Sequence, residues 1–518
     1  MSFPKIKHSP KLLLTSLFIL IFSIFANADA DIQQIDEESA KQQIKRADKL
    51  TRNGNLTEAE KLLRRVVEQN PKISRAKVKL AYVLYKQRRL LDAYNLSFDI
   101  AKAEPKNAYA YAVLGMILLE AGNFKEAEAA LITALNSNKR EALGWFGLGM
   151  LDFYENRVKE SLNSLREAHY LDSDEPDYVF ALAQVSTRDE RYNDAANAYR
   201  DFLRISPKND VDRRERIKGL IDFLDFLAPK VSIIYAIDGA RTTNVKFELF
   251  QDRPIIQLKL NKSNETFHFV LDTGSGISVI SQKAAEKLKI KPVARGGYAR
   301  GFGGDGKFDI VYGFVNRVGI GGVEIRNVPV YIRHFHAANE QIDGYIGLSL
   351  ISKFLTTIDY GNTSFTLRRK DGITETIDEK NALALPLRLT SGGFLSGEVQ
   401  IEGVRNSLNF IVDTGASLSV ISNELVDSGE LSGFAINEKI RVIGSAGETA
   451  DMPLFMLPRV TFGKNTRDQV KAIALDLDLI NESSGFVQAG ILGGNFLKNY
   501  RMTFDFENSK VIFVPLND

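Results

Sequence analysis

The sequence predicts a multidomain chain in which an all-α solenoid is followed by an all-β, two-lobed region. Three observations carry that prediction. Small and apolar residues recur every 34 positions through residues 40–207. After Val231 the hydrophobic pattern changes from helical spacing to alternation between glycine-rich turns. In the β half one strand-and-turn motif, Asp-Thr-Gly, occurs twice, at Asp272 and at Asp413.

The chain has 518 residues, too many for one hydrophobic core. Lys plus Arg number 67 against 65 Asp plus Glu, a formal net charge of +2. That balance argues against broad electrostatic binding to nucleic acid. Cysteine is absent, which excludes disulfides, thiolate metal sites, iron–sulfur clusters and cysteine nucleophiles. Chemistry must come from hydroxyls, carboxylates, amines and five histidines. Of these, His334 and His336 share one side of a strand but are too few for a metal site, so no metal or cofactor is expected.

Residues 1–28 read as a signal peptide. Lys5, Lys7 and Lys11 precede the apolar run from Leu12 to Phe25, and Ala26, Ala28 and Ala30 follow. The run is shorter than the about 20 residues a bilayer span needs. Cleavage after Ala28 or Ala30 is expected, with an uncleaved membrane tether as the alternative. No second run of that length follows, so no stable span is expected after cleavage. Export without disulfides points to a periplasm.

The 34-residue grid is carried by Ala59, Ala93, Ala127, Ser161 and Ala195, and by Leu80, Leu114, Leu148 and Leu182. Each of those leucines precedes a small residue, Ala81, Gly115, Gly149 or Ala183, as close helix approach requires. Pro71, Pro105 and Pro207 close second helices on the same grid. The segment Trp145-Phe146-Gly147-Leu148-Gly149 carries an aromatic-x-x-Leu-Gly signature. Residues 40–207 thereby resemble the tetratricopeptide repeat family, with about five repeats. The resemblance implies a concave groove that binds a protein partner; a rigid spacer or an oligomerisation arm is the alternative. Residues 208–230 read as a capping helix and linker, with one amphipathic helix from Asp210 to Leu227.

The β half is a duplicated unit. Phe269-Val270-Leu271-Asp272-Thr273-Gly274 recurs as Phe410-Ile411-Val412-Asp413-Thr414-Gly415, and Gly344-Tyr345-Ile346-Gly347 as Gly490-Ile491-Leu492-Gly493. Lobe one spans 245–370 and lobe two 385–518. Between its motifs, lobe two carries about five extra residues. Each lobe also has a glycine-rich turn about thirty residues after its aspartate, Gly301-Phe302-Gly303-Gly304 and Gly444-Ser445-Ala446-Gly447.

One such aspartate is an ordinary ionised carboxylate. Two within about 3 Å cannot both hold a charge, so they share a proton and titrate as a pair. The ionised member can act as general base on water while the protonated member polarises a carbonyl. This half resembles the aspartic peptidase family, the reference case for such coupling. The fold implied is an all-β bilobal acid-protease barrel pair.

By that resemblance, Asp272 and Asp413 are the catalytic dyad. Thr273 and Thr414 cross-link the lobes beneath it. Gly274 and Gly415 let backbone amides approach the carboxylates. Ile346-Gly347 and Leu492-Gly493 thread behind the loops. Ser275 serves the outer oxygen of Asp272 and Ala416 cannot do so for Asp413, which would make the two carboxyls inequivalent. Gly301, Phe302, Gly303, Gly444 and Gly447 belong to substrate flaps, with Tyr298 and Phe302 as the candidate flap aromatics.

The lobe size and the Asp-Thr-Gly-Ala form look closer to retropepsin-like subunits fused in tandem. The expectation is an exported aspartic endopeptidase, a monomer whose lobes pair within one chain and act on a protein or peptide substrate. The alternative is a non-catalytic adaptor in which repeats and a retired protease fold both bind peptides.

Overall fold

The computed structural model describes residues 39–301, 303–304, 306–335, 341–370 and 382–516. The leader at 1–28, Phe302 and His336 lie outside the described residues.

Among the described residues, five helical hairpins form the N-terminal array. The first pairs residues 39–52 with Leu56–Gln69, and Ser74–Lys86 then pairs with Leu90–Ala103. Ala108–Glu120 pairs with Phe124–Ser137, Ala142–Tyr154 with Val158–Leu171, and Pro176–Arg188 with Tyr192–Ile205. The small residues of the grid are the helix contacts. A Cβ on Gly115 would lie 2.6 Å from Cγ of Leu131, and one on Gly149 2.7 Å from Cγ of Leu165. Ser161, which replaces alanine in its series, is fully buried and donates its hydroxyl to the carbonyl of Gly149 at 2.7 Å.

The array curls until its ends meet. Arg52 pairs with Asp172 at 2.5 Å, and a Cβ on Gly54 would lie 3.0 Å from Oδ1 of Asn209. Side chains of the first helices of the repeats fill much of the inner face. Lys79 pairs with Asp48 at 3.1 Å and sits 4.2 Å over the ring of Tyr109, and Lys86 is ion-paired to Asp177.

The cap is two helices, Val211–Arg216 and Lys218–Leu227, rather than the single helix the spacing predicts. The break at Ile217 lies where a hairpin of lobe one packs backbone to backbone. A Cβ on Gly219 would lie 2.4 Å from the carbonyl oxygen of Gly296, and one on Gly297 the same distance from that of Arg216. Phe223 of the cap stacks on Tyr312 of that hairpin with centroids 4.5 Å apart.

Each lobe has its own mixed sheet, nine-stranded in lobe one and eight-stranded in lobe two. A third, six-stranded antiparallel sheet takes strands from both. At its centre Phe354–Asp359 pairs with Tyr500–Asp505, and Thr357 faces Thr503 with their hydroxyls 2.9 Å apart. This is the pseudo-two-fold contact of the duplicated unit. Buried side chains of the last repeat, the cap and both lobes form one continuous core.

Most of the extra length in lobe two has an identifiable place. Ten residues separate Arg333 from Gly344, whereas fourteen separate the equivalent Leu475 from Gly490. The longer segment forms the helix Asp478–Ser484 and then the turn that carries Phe486. Phe486 is fully buried against the repeats, its ring 5.0 Å from that of Phe124 and 5.1 Å from that of Tyr154. The Val487 N–H donates to the carbonyl of Glu120 at 2.8 Å.

Nearby, Arg188 donates to the carbonyls of Phe153 and Thr390, each at 2.8 Å, with its guanidinium 3.6 Å over the ring of Phe153. Burial pushes its pKa down to about 9. Asn156 donates to the carbonyl of Phe506 at 3.1 Å. These groups lie at or beside the turn within each hairpin, so that edge of the solenoid is docked along the lobes.

Candidate active site

Each aspartate caps a buried strand. Asp272 follows Phe267–Leu271 and Asp413 follows Leu408–Val412. A parallel strand locks each loop from behind. The N–H of Asp272 donates to the carbonyl of Ile346 and that of Asp413 to the carbonyl of Leu492, both at 3.0 Å. The chain then crosses under the turn: Leu348 N–H donates to Ser275 O at 2.8 Å, and Gly494 N–H to Ala416 O at 2.7 Å.

The two loops are fastened to one another by four reciprocal hydrogen bonds. Thr273 Oγ1 donates to Val412 O and Thr414 Oγ1 to Leu271 O, both at 2.6 Å. Each hydroxyl also accepts the other threonine's backbone N–H, at 3.2 Å for Thr273 N and 3.1 Å for Thr414 N. Both threonines are fully buried, where such a network is strong because no water competes.

The glycines set the carboxyl spacing. A Cβ on Gly274 would lie 2.3 Å from Cγ of Asp413, and one on Gly415 2.7 Å from Cγ of Asp272. No larger residue fits at either position. The carboxyls of Asp272 and Asp413 share a hydrogen bond. Burial, then the neighbouring Asp413 carboxylate, pushes the pKa of Asp272 well above the usual carboxylate range. Burial also raises Asp413, opposed by N–H donors at its Oδ1. Those donors are Gly415 at 2.7 Å and Ala416 at 3.2 Å.

The inequivalence therefore has the opposite origin from the one expected. Ser275 turns away from Asp272 and donates to Ile277 O at 2.7 Å, completing its own tight turn. Asp413, with more backbone donors, is the carboxyl better suited to carry the charge.

Two hairpins, Ala294–Arg300 with Lys307–Ile320 and Ala435–Ile443 with Glu448–Phe462, rise over the site. Their turns meet. Gly304 N–H donates to Glu448 O at 3.3 Å, and a Cβ on Gly303 would lie 2.0 Å from the carbonyl oxygen of Gly447. Gly303, at φ +85°, is in the left-handed region that favours glycine. Gly301 and Gly444 line the cavity beneath.

Tyr298 does not cover the aspartates. Its hydroxyl bonds to Asp212 of the cap. Arg300 joins the same carboxylate at 2.6 Å and Glu482 of lobe two at 2.5 Å. Sequence reasoning missed Asp212, Arg300, Arg188 and Phe486, and the cavity-lining Arg253 and Arg333. For Phe486 the trace was the surplus length of lobe two.

Below the flaps lies a cavity of about 1610 Å³ lined by both aspartates, both flaps and part of the repeat array. Two β lobes with paired aspartates, under paired hairpins and joined to a helical repeat array, define an aspartyl-protease-like half and a tetratricopeptide-repeat half.

Comparison with known families agrees on both. The aspartyl protease family model matches residues 256–350 and 397–496, and a tetratricopeptide repeat model matches 44–109 and 112–151. Similar solved structures include a thermophilic tetratricopeptide repeat protein of Thermus thermophilus. It is 20% identical over 38% of this chain and 100% of that one, with TM-score 0.30. Pseudomonas aeruginosa PilF is 18% identical over 38% and 88%, with TM-score 0.29. A double mutant of MamA RS-1 is 18% identical over 32% and 93%, with TM-score 0.24. No curated protein matches the chain.

Proposed function

We propose that the protein is an exported aspartic endopeptidase that hydrolyses peptide bonds with water activated between Asp272 and Asp413. The observation that carries this reading is the pair of carboxyls held in contact by reciprocal threonine bonds, in a cavity large enough for a peptide.

Asp413, as the ionised member, takes a proton from the water as its oxygen adds to the substrate carbonyl carbon. Asp272 gives its proton to the carbonyl oxygen, forming a neutral tetrahedral diol. The proton on Asp413 then passes to the amide nitrogen as the C–N bond breaks, and Asp272 recovers its proton from the diol hydroxyl. The flaps exclude bulk water and hold the peptide extended between the lobes. The repeats, docked on the lobes along one edge, bind a protein substrate or regulator. The leader at 1–28 would direct the chain to the periplasm.

Incubating the full chain with a mixed peptide library between pH 4 and 8 tests the chemistry. Cleavage blocked by a statine-type mimic, and lost in both Asp272→Asn and Asp413→Asn, is the expected result. Undiminished cleavage in either variant overturns the assignment. Amino-terminal sequencing of the periplasmic protein tests the export.

A further inference from the structure

The duplication allows the two walls of the cleft to be compared position by position, using the strand registers. Val279 and Val420 are equivalent. Val279 pairs with Tyr331, and Val420 with Ile473. Two residues on, Ser281 pairs with Arg333, and Ser422 with Leu475. On the strand behind each loop, Tyr345 pairs with Val279, and Ile491 with Val420. On the strand that precedes each loop strand, Ile255 pairs with Val270 and Ser396 with Ile411. Two residues earlier stand Arg253 in lobe one and Phe394 in lobe two.

All of these four equivalent pairs line the cavity that holds Asp272 and Asp413. In each pair lobe one has an arginine or a tyrosine, and lobe two an aliphatic residue or phenylalanine. The lobe-two wall belongs to a hydrophobic cluster that includes Val420, Ile473, Leu475 and Ile491, with Phe394 packed against it.

The lobe-one arginines are held in place but not neutralised. Arg333 lies with its guanidinium 3.5 Å over the ring of Phe308 and donates to the carbonyl of Ser445 in the opposite flap. Arg253 is only 7% exposed, and its Nε donates to Phe250 O at 3.4 Å. Among the described residues neither has a carboxylate ion-pair partner. The fields of both reach Asp272 and Tyr345. Burial lowers Arg333 only to about 10, so it stays charged at neutral pH. A buried, partly desolvated guanidinium without a counter-ion favours an incoming carboxylate.

We propose that the cleft is chemically two-sided: its lobe-one wall takes a substrate carboxylate through Arg333 and Arg253, and its lobe-two wall takes a large apolar side chain. The substrate class is then a peptide that pairs an acidic group with an aliphatic or aromatic residue around the scissile bond. This rests on the peptidase reading, but recognition can be measured without turnover.

The full chain is titrated with reduced-amide peptides, which cannot be cleaved, and assayed with their cleavable counterparts. One arm compares internal Glu with Gln in C-terminally amidated peptides. A second compares free with amidated C-termini in peptides without acidic residues. Carboxylate over its neutral counterpart is expected to gain about ten-fold or more in affinity, in the first arm for a side chain or in the second for a chain end. Arg333→Gln should bring that ratio close to one, and Leu475→Gln should weaken binding of a Leu or Phe peptide relative to an Ala peptide. Should either variant misfold, Arg253→Gln supplies the same ratio from the other guanidinium. A ratio near one in the parent chain in both arms overturns the proposal. Carboxylate preference in binding without any cleavage upholds it while refuting the peptidase reading.

Discussion

Replacing Phe486 with alanine should weaken the docking of the repeat array on the lobes. The ring is fully buried, with aromatic partners at 5.0 and 5.1 Å on two different helices of the array. Truncating such a phenylalanine costs about 3–5 kcal/mol through lost transfer energy and the cavity left behind. The edge-on contact with Phe124 accounts for about 0.5–1.5 kcal/mol of that total. Whole-protein stabilities are about 5–15 kcal/mol, so the change is a large fraction of a typical folding stability. Calorimetry should show the melting of the lobes fall by roughly 6–20 °C, at about 2–4 °C per kcal/mol for units of this size. It should separate from the melting of the repeats. A double-mutant cycle with Phe124→Ala should return the edge-on term as a coupling energy. A loss below about 1 kcal/mol, or strict additivity with Phe124→Ala, would refute the view that the lobes depend on this plug.

Three further outcomes follow from the site. Thr273→Val keeps the shape but strands the Thr414 N–H and the Val412 carbonyl in a dry interior, at about 1–3 kcal/mol for each unsatisfied group; chemical denaturation that shows no loss would contradict the bonding described. Because the pKa of Asp272 is raised in the folded state, folding binds a proton there, and its contribution to stability falls as pH rises from about 3.9 towards the folded-state value. Asp272→Asn should therefore gain melting temperature relative to the parent on going from pH 4 to pH 7, and an offset equal at both pH values would count against the raised pKa. Asp212→Ala removes the cap's hold on Tyr298 and Arg300, so amide exchange in 294–300 should speed up several-fold while that in 435–443 stays unchanged; equal protection in both proteins would show that the hairpin does not rely on the cap.

The fold was legible where the chain repeats itself. The 34-residue grid places helix contacts because each small residue meets the same leucine of the next helix, as Gly115 meets Leu131 and Gly149 meets Leu165. The duplicated Asp-Thr-Gly likewise locates the paired carboxyls and the threonine cross-links, since the spacing forces both loops to the same point of equivalent lobes. What repeats only once was not legible. Phe486 follows Ser-Ser-Gly and has the local character of an exposed loop. Arg188 ends a helix, where a cation needs no further explanation. The break at Ile217 and the rotamer of Ser275 depend on neighbours distant in sequence or on competition between nearby acceptors.

The shared sheet also governs when the site can exist. Tyr500–Asp505 supplies the lobe-two partner of Phe354–Asp359, and Lys510–Pro515 lies beside it. Asp272 precedes those strands by more than two hundred residues. During synthesis the repeat array can fold long before the lobes can close upon one another. A nascent chain or one cut short before residue 500 would thus carry both aspartates yet lack the sheet that unites them. Bringing Asp272 and Asp413 together across the closed lobes is a late event in the folding of the chain.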